Sequence, residues 1–79
     1  MIRVLFFGPV ADRVQSRELH FDFSAGMTLH DIIVKIGMQY PGALSIVSFI
    51  AVNQNQAHDK QMALSDNDEI AFMAKFSGG

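Results

Sequence analysis

The residues that could carry chemistry in this sequence are few, and the clearest candidates are the two glycines at its end, Gly78 and Gly79. Without Cβ atoms, such an end is thin enough to enter a narrow channel and free enough to adapt to different active sites. The reactive group would be the α-carboxylate of Gly79. A nucleophile cannot attack a carboxylate until it has been activated, for example as an acyl-adenylate, so a partner enzyme would have to supply that step. The alternative interpretation is a frayed, inert end.

A second group of polar residues could hold a metal ion. His20 lies between Glu18 and Asp22 at alternate positions, so all three side chains would project from one strand face, where a hard metal could bind. We interpret the set instead as a solvated strand face. The acidic cluster at 66–69 lacks the glycine and the spaced glutamate of a calcium-binding loop, and it is typical of a turn. We therefore predict no metal site.

Composition excludes several classes of protein. The 79 residues suffice for one small domain, and their formal net charge of −2 gives no basic excess for binding nucleic acid or an anionic membrane. The lack of cysteine excludes a disulfide framework, a thiolate zinc site and a cysteine nucleophile. No apolar stretch approaches the roughly 18 residues of a membrane span, and the start does not resemble a secretory signal. We expect a cytoplasmic protein.

The hydrophobic pattern predicts the order strand, strand, helix, strand, short strand, strand. The first strand, residues 2–7, is apolar at nearly every position, which is typical of a strand covered on both faces. The second alternates Leu19, Phe21 and Phe23 with polar residues, which predicts one buried and one solvated face. A loop or a single helical turn is expected at 10–16. The later strands are predicted at 48–52, 56–58 and 69–75.

The helix is the most clearly marked element. Thr28 is a suitable N-cap, and Asp31 stands three residues later in the acidic position of a capping box. An apolar stripe follows at i, i+3, i+4 and i+7 from Leu29 to Ile36. Pro41 disfavours helical backbone at the residue before it and ends the helix.

These elements predict an α+β fold, in which one main helix packs across one face of a mixed sheet. Pairing of the first and last strands in the middle of the sheet would explain why the first strand is apolar on both sides. We expect the domain to comprise residues 1–76 and a flexible tail to comprise residues 77–79.

The sheet face opposite the helix is a candidate partner-binding surface. If alternate residues of the first strand face the helix, the remaining apolar side chains of that strand emerge on the other face, beside the last strand and the tail. Exposed apolar side chains in a contiguous patch are typical of interfaces; the alternative is a minor second core or a cover of loops. The predicted partner-binding residues are Leu5, Phe7, Met73, Lys75, Phe76 and Ser77.

Three segments resemble a known family. They are MIRVLFFG at 1–8, AVNQ at 51–54, and LSDNDEIAF at 64–72, and the last is followed by the terminal Gly78-Gly79. Each motif alone is weak, but together and in this order they resemble the small subunits of molybdopterin synthases. These subunits belong to the MoaD/ThiS family of ubiquitin-like sulfur carriers. The resemblance covers nearly the whole chain.

The resemblance implies a ubiquitin-like β-grasp fold and a mechanism. An E1-like adenylyltransferase would adenylate Gly79 with ATP and magnesium, and a sulfur donor would convert it to a thiocarboxylate. The tail, with Gly78 as its slim penultimate residue, would enter the large subunit and pass sulfur to cyclic pyranopterin monophosphate. Two small and two large subunits would form a heterotetramer. This chain would be a non-catalytic subunit and co-substrate, with no cofactor of its own.

The sequence departs from the family at the root of the tail. Synthase subunits often carry a Pro-Pro pair there, whereas this chain has Met73-Ala74-Lys75-Phe76. The departure affects the expected partner geometry more than the chemistry of the terminal glycine.

Other functions stay open at this point. The chain could carry sulfur for thiamine thiazole or another thiolated product. It could be a ubiquitin-like modifier whose Gly79 becomes amide-linked to lysines. It could also be a β-grasp interaction domain with an inert end.

Overall fold

Five strands form one mixed sheet in the computed structural model, which describes residues 1–74. The strands lie side by side in the order β2-β1-β5-β3-β4, and β1 and β5 run parallel while the other neighbours are antiparallel. The strands are β1 (Ile2–Phe6), β2 (Glu18–Phe21), β3 (Val47–Val52), β4 (Asn55–Gln56) and β5 (Glu69–Ala74). The helices are α1 (Pro9–Val14) and α2 (Leu29–Gln39), with a short 3-10 helix at Ala43–Ile46.

The first and last strands pair with each other inside the sheet, as predicted from the apolar character of β1. The parallel ladder aligns Arg3 with Glu69 and continues to Phe6 beside Phe72. A parallel pair needs a long crossover connection, and here residues 7–68, which are most of the chain, form it. The topology confirms the predicted α+β architecture with one main helix across a mixed sheet.

The core lies between the sheet and α2. Phe6 and Phe72 stack at its centre with ring centroids 5.8 Å apart. Alternate residues of β1 and β5 point inward, and the apolar stripe of α2 covers them, which buries all of these side chains from water. The most deeply buried residues of the three elements are Ile2, Val4, Ile70, Phe72, Leu29, Ile32 and Ile36.

The helix α2 starts with the predicted capping box. The Thr28 hydroxyl accepts the backbone N–H of Asp31 at 3.3 Å, and the Asp31 carboxylate accepts the backbone N–H of Thr28 at 2.9 Å. Two backbone donors that no helical carbonyl can satisfy are thereby paired. At the other end, the N–H of Tyr40 still bonds to the carbonyl of Ile36, and Pro41 follows.

Several local predictions were wrong in detail. Residues 10–16, expected as a loop or one turn, contain α1, because Val10 and Val14 share one helix face and both are buried in the core. The strand β2 ends at Phe21, before Phe23. The short return strand is Asn55–Gln56, earlier than predicted, because the residues before it form a tight turn.

The predicted last strand at 69–75 is observed as β5 up to Ala74. Lys75 and the expected domain boundary between residues 76 and 77 lie outside the described residues. Within residues 1–74, no helix is both long and apolar enough to cross a membrane.

We predict that Thr28→Ala lowers the free energy of unfolding by about 1 kcal/mol, because the helix loses its side-chain cap. Thr28→Ser keeps a hydroxyl oxygen in place and should remain close to the wild type. Urea unfolding measures both variants. Equal losses in the two variants would mean that the cap is not the cause.

Candidate functional site

The sheet face that α2 leaves uncovered, called here the open face, carries two rows of apolar side chains. One row crosses the sheet at Leu5, Ala71 and Ala51, which are directly paired on neighbouring strands. The next row contains Met73 and its partner Phe49. Phe7 extends that row on the β1 side of Met73, because Phe6 is paired with Phe72 and Phe7 is the next residue in the parallel register. The backbone N–H of Phe7 donates to the carbonyl of Phe72 at 3.2 Å.

The structure brings together the three predicted partner-binding residues that it describes. Leu5, Phe7 and Met73 all lie on the open face; Phe7 is 46% exposed, and the other two are half-buried. Their common placement agrees with the alternation predicted for β1 and β5, and their binding role stays a prediction. Outside the described residues lie Lys75, Phe76, Ser77, Gly78 and Gly79.

Phe49 is 39% exposed on the open face and is not among the residues predicted from the sequence. Its partner on β5 is Met73, while Val47 is paired with Ala74, so Ser48 is an extra residue that forms a β-bulge. The signal that could have identified Phe49 is the alternation in residues 49–52: Ile50 and Val52 pack on the core, so Phe49 must face away from it.

The opposite end of the open face is polar. The Arg3 guanidinium donates to Glu18 through Nε at 3.1 Å and through Nη2 at 3.4 Å, and its Nη1 donates to Glu69 at 3.1 Å. His20 also contacts the Glu18 carboxylate. One arginine thereby links the carboxylates of β2 and β5 across β1.

This network changes the acidity of Glu18. Hydrogen bonds from His20 and from Arg3 stabilise the charged carboxylate and hold the pKa of Glu18 below its ordinary value of 4.5. The same carboxylate raises the pKa of Arg3. All of these side chains are well exposed, so water screens the interactions and their contribution to stability is modest.

The candidate metal-binding set is not assembled as a cluster. Glu18 and His20 project from one face, but β2 ends at Phe21 and Asp22 lies beyond it. The Glu18 carboxylate is occupied by Arg3. Within the described part of the chain, no group of three or more His, Asp or Glu side chains is arranged to hold a metal ion.

Asp66 and Asp68 of the acidic cluster lie in the predicted turn before β5, and Glu69 is the first residue of β5. Asp68 accepts the backbone N–H of Ser65 at 2.8 Å and the side-chain amide of Asn53 at 2.9 Å. Asp66 pairs with the amino group of Met1, which lowers the pKa of Asp66. Asn53 also accepts the backbone N–H of Glu69, so the turn after β3 is tied to the start of β5.

The mixed five-stranded sheet, the single long helix across it and the open face define a ubiquitin-like β-grasp protein. The chain belongs to the ThiS family, whose sequence model matches residues 4–79. This family comprises ubiquitin-like sulfur carriers and modifiers, among them MoaD. The resemblance seen in the three sequence segments is thereby confirmed.

Solved structures share this fold at low sequence identity. SAMP1 from Haloferax volcanii is 21% identical, with a TM-score of 0.84 over 99% of this chain and 98% of its own. Urm1 from Trypanosoma brucei is 18% identical, with a TM-score of 0.74 over 99% and 94%. A chain from the complex of subunits 1 and 2 of the Helicobacter pylori molybdopterin-converting factor is 22% identical, with a TM-score of 0.63 over 99% and 97%. No curated protein sequence matches this chain significantly.

We predict that Glu18→Gln lowers stability at neutral pH and has no such effect in acid. Because the folded-state pKa of Glu18 lies below 4.5, its stabilising contribution is present above that pH and is lost as the pH falls through the folded-state pKa. Urea unfolding of both proteins at neutral pH and well below pH 4.5 measures the change. The control is Asp22→Asn, outside the network. A Glu18→Gln difference of equal size at both pH values would refute the assignment.

Proposed function

We propose that this protein is the sulfur-carrier small subunit of a molybdopterin synthase. The observation that carries the proposal is the family match, which runs through the three characteristic segments to Gly79. The fold shared with a chain of the Helicobacter pylori two-subunit converting factor supports it. In this function the chain is a co-substrate, and its reactive group is consumed and regenerated by partners.

The chemistry takes place at the carboxyl group of Gly79. An E1-like adenylyltransferase, with ATP and magnesium, joins a carboxylate oxygen to the α-phosphorus and releases pyrophosphate. Sulfur at the sulfide oxidation level, supplied by a donor, then bonds to the acyl carbon as the bond to AMP breaks, which leaves a thiocarboxylate. In the large subunit, this sulfur passes to cyclic pyranopterin monophosphate. Two small and two large subunits form the working complex. Gly78 contributes by having no side chain, so that the end can enter a narrow active site.

The open face is the docking surface in this proposal. The described part of β5 ends at Ala74, next to the row of Phe7 and Met73. Gly79 is the fifth residue after Ala74, and five residues span at most about 18 Å. A protein that takes up Gly79 must therefore approach this end of the sheet. Leu5, Phe7 and Met73 supply apolar contacts, and Lys75, Phe76 and Ser77, which lie outside the described residues, stay predicted partner-binding residues.

A second candidate function is that of a ubiquitin-like protein modifier. The observation in its favour is the TM-score, which is higher for the modifier-type protein SAMP1, at 0.84, than for the chain of the converting-factor complex, at 0.63. In that case the activated Gly79 would form an amide with lysines of other proteins. A sulfur carrier for thiamine thiazole or another thiolated product would share the first chemical steps and differ in the acceptor.

We expect the C-terminal fragment containing Gly78 and Gly79 to gain one sulfur in place of one oxygen after incubation with ATP, magnesium, an E1-like enzyme and a sulfur donor. Top-down mass spectrometry measures the change. Fragmentation is essential, because oxidation of one of the five methionines has the same nominal mass. An unmodified Gly79, with an activator proven competent on another carrier, would reject the sulfur-carrier proposal. Isopeptide-linked adducts in cell extracts would favour the modifier.

Deleting Gly78 and Gly79 should abolish sulfur transfer and leave the free energy of unfolding unchanged, because a glycine has no side chain to bury. Urea unfolding and product formation by the synthase measure the two effects. Continued cofactor synthesis by the deletion variant would show that the glycines carry no sulfur.

Replacing Phe7 with Asp should weaken binding to the synthase large subunit by about tenfold or more, since it places a charge in an apolar interface. The fold should be retained because Phe7 is 46% exposed. The matched control is Met38→Asp on α2, at a side chain that is 77% exposed. Calorimetric titration with the large subunit measures both. Equal effects of the two substitutions would exclude the open face as the docking surface.

A further inference from the structure

Arg13, an exposed residue in the last turn of α1, has its guanidinium held by one nitrogen. Its Nη1 donates two long hydrogen bonds, to the carbonyl of Gly42 and to the hydroxyl of Ser45, both at 3.4 Å. The Ser45 hydroxyl donates in turn to the Gly42 carbonyl at 2.8 Å, which leaves a lone pair of its oxygen for Arg13. These contacts join α1 to the 3-10 helix and restrict the orientation of the guanidinium.

Arg3 shows what the other edge of such a guanidinium can bind. Its Nη1 also donates to one acceptor, Glu69, while its Nε and Nη2 donate to the two carboxylate oxygens of Glu18. Arg13 uses its Nη1 in the same way, but no carboxylate of residues 1–74 pairs with it. Two parallel N–H donors on one edge match the two oxygens of a carboxylate, so Arg13 has room for the kind of partner that Arg3 already holds.

The surroundings of Arg13 suit an anion. Arg13 lines an open cavity between the end of α1 and the end of α2, together with the side chains of Gln15, Gln39 and Tyr40. These neutral side chains offer amide and hydroxyl donors. Among the described residues that line the cavity, none is acidic. A carboxylate placed there would therefore meet one cation and several donors, with no like charge to repel it.

The cavity lies at the end of the sheet where β5 ends, on the side of α2 and not on the open face. Val10 and Val14 place α1 on the core side of the sheet, since both are buried in the core. The 3-10 helix, which contains Ser45, leads directly into Val47, the partner of Ala74. The chain end lies at most about 18 Å beyond Ala74. A protein that takes up the chain end is thus kept close to this cavity.

We propose that Arg13 is a partner-binding residue and that it binds an Asp or Glu side chain of the protein that takes up Gly79. In the proposed function, on which this inference rests, that protein is the synthase large subunit. The carboxylate accepts from Nε and Nη2 of Arg13, as Glu18 does from Arg3. Apolar contacts on the open face specify orientation poorly, and a charge pair on the other side of the sheet fixes it.

Two substitutions test the site. Arg13→Gln removes the charge, and we expect it to weaken binding to the large subunit by about fivefold at low salt and by less at high salt. Arg13→Lys keeps the charge and should lose nearly as much affinity, because an ammonium group lacks the two parallel donors. The matched control is Lys60→Gln, an exposed cation beside the start of α2, where the Lys60 carbonyl accepts the N–H of His30. Calorimetric titration at two salt concentrations gives the dissociation constants, and thermal unfolding verifies that each variant folds.

Weaker binding of both Arg13 variants, with Lys60→Gln like the wild type, supports the inference. Wild-type affinity in Arg13→Gln overturns it. Stronger binding also overturns it, since Arg13 would then hold the chain's own terminal carboxylate until a partner displaces it. Full affinity in Arg13→Lys alone would show that only the net charge matters, which contradicts a bidentate site. Tight binding of inorganic phosphate to the free chain, lost in Arg13→Gln, would make the cavity a small-ion site and reject the partner carboxylate.

Failure of the proposed function is a separate outcome. If the wild-type protein does not bind the large subunit at all, the synthase assignment fails. The same variants are then titrated with the E1-like adenylyltransferase, which must also take up Gly79. Equal affinity of wild type and Arg13→Gln for that enzyme would overturn the inference as well, and a loss confined to the Arg13 variants would support it.

Discussion

The parallel pairing of β1 with β5 is the interaction on which the rest of the structure depends. It joins the two ends of the chain, so that Arg3 contacts Glu69 across 66 positions of sequence. The same pairing stacks Phe6 on Phe72 at the centre of the core and places the end of β5 beside Phe7. The core and the open face thus depend on the same contact, because both form only when these two strands pair.

Each of these strands serves two surfaces. Ile70 and Phe72 point into the core under α2, while Ala71 and Met73 point to the open face. Because alternation separates the two sets, the side chains of the open face can change without repacking the core. The helix α2 is stabilised by its own capping box, formed by Thr28 and Asp31, and by the burial of its apolar stripe.

The open face combines an apolar half near the end of β5 with a polar half around Arg3. Arg3 donates hydrogen bonds to Glu18 and Glu69, and His20 contacts Glu18, so the polar half is preorganised although it is exposed. Apolar contacts supply most of the affinity in interfaces, whereas exposed charges mainly affect orientation and association rate. In the proposed function, the apolar half would supply the affinity for the partner and the polar half would orient it.

The sequence alone determined the features that depend on neighbours along the chain. The helix α2 was predictable because its cap and its apolar period lie within a dozen residues, and the inner position of β1 followed from apolar residues on both of its faces. The two glycines and the three family segments indicated the class of protein.

Tertiary structure decided the rest. The helix α1 forms because Val10 and Val14 are buried in the core. The strand β2 ends where its pairing with β1 ends. Phe49 lies on the open face because the register between β3 and β5 includes the bulge at Ser48. Register is set by contacts between strands that are distant in sequence, so the pattern of one strand read alone cannot contain it.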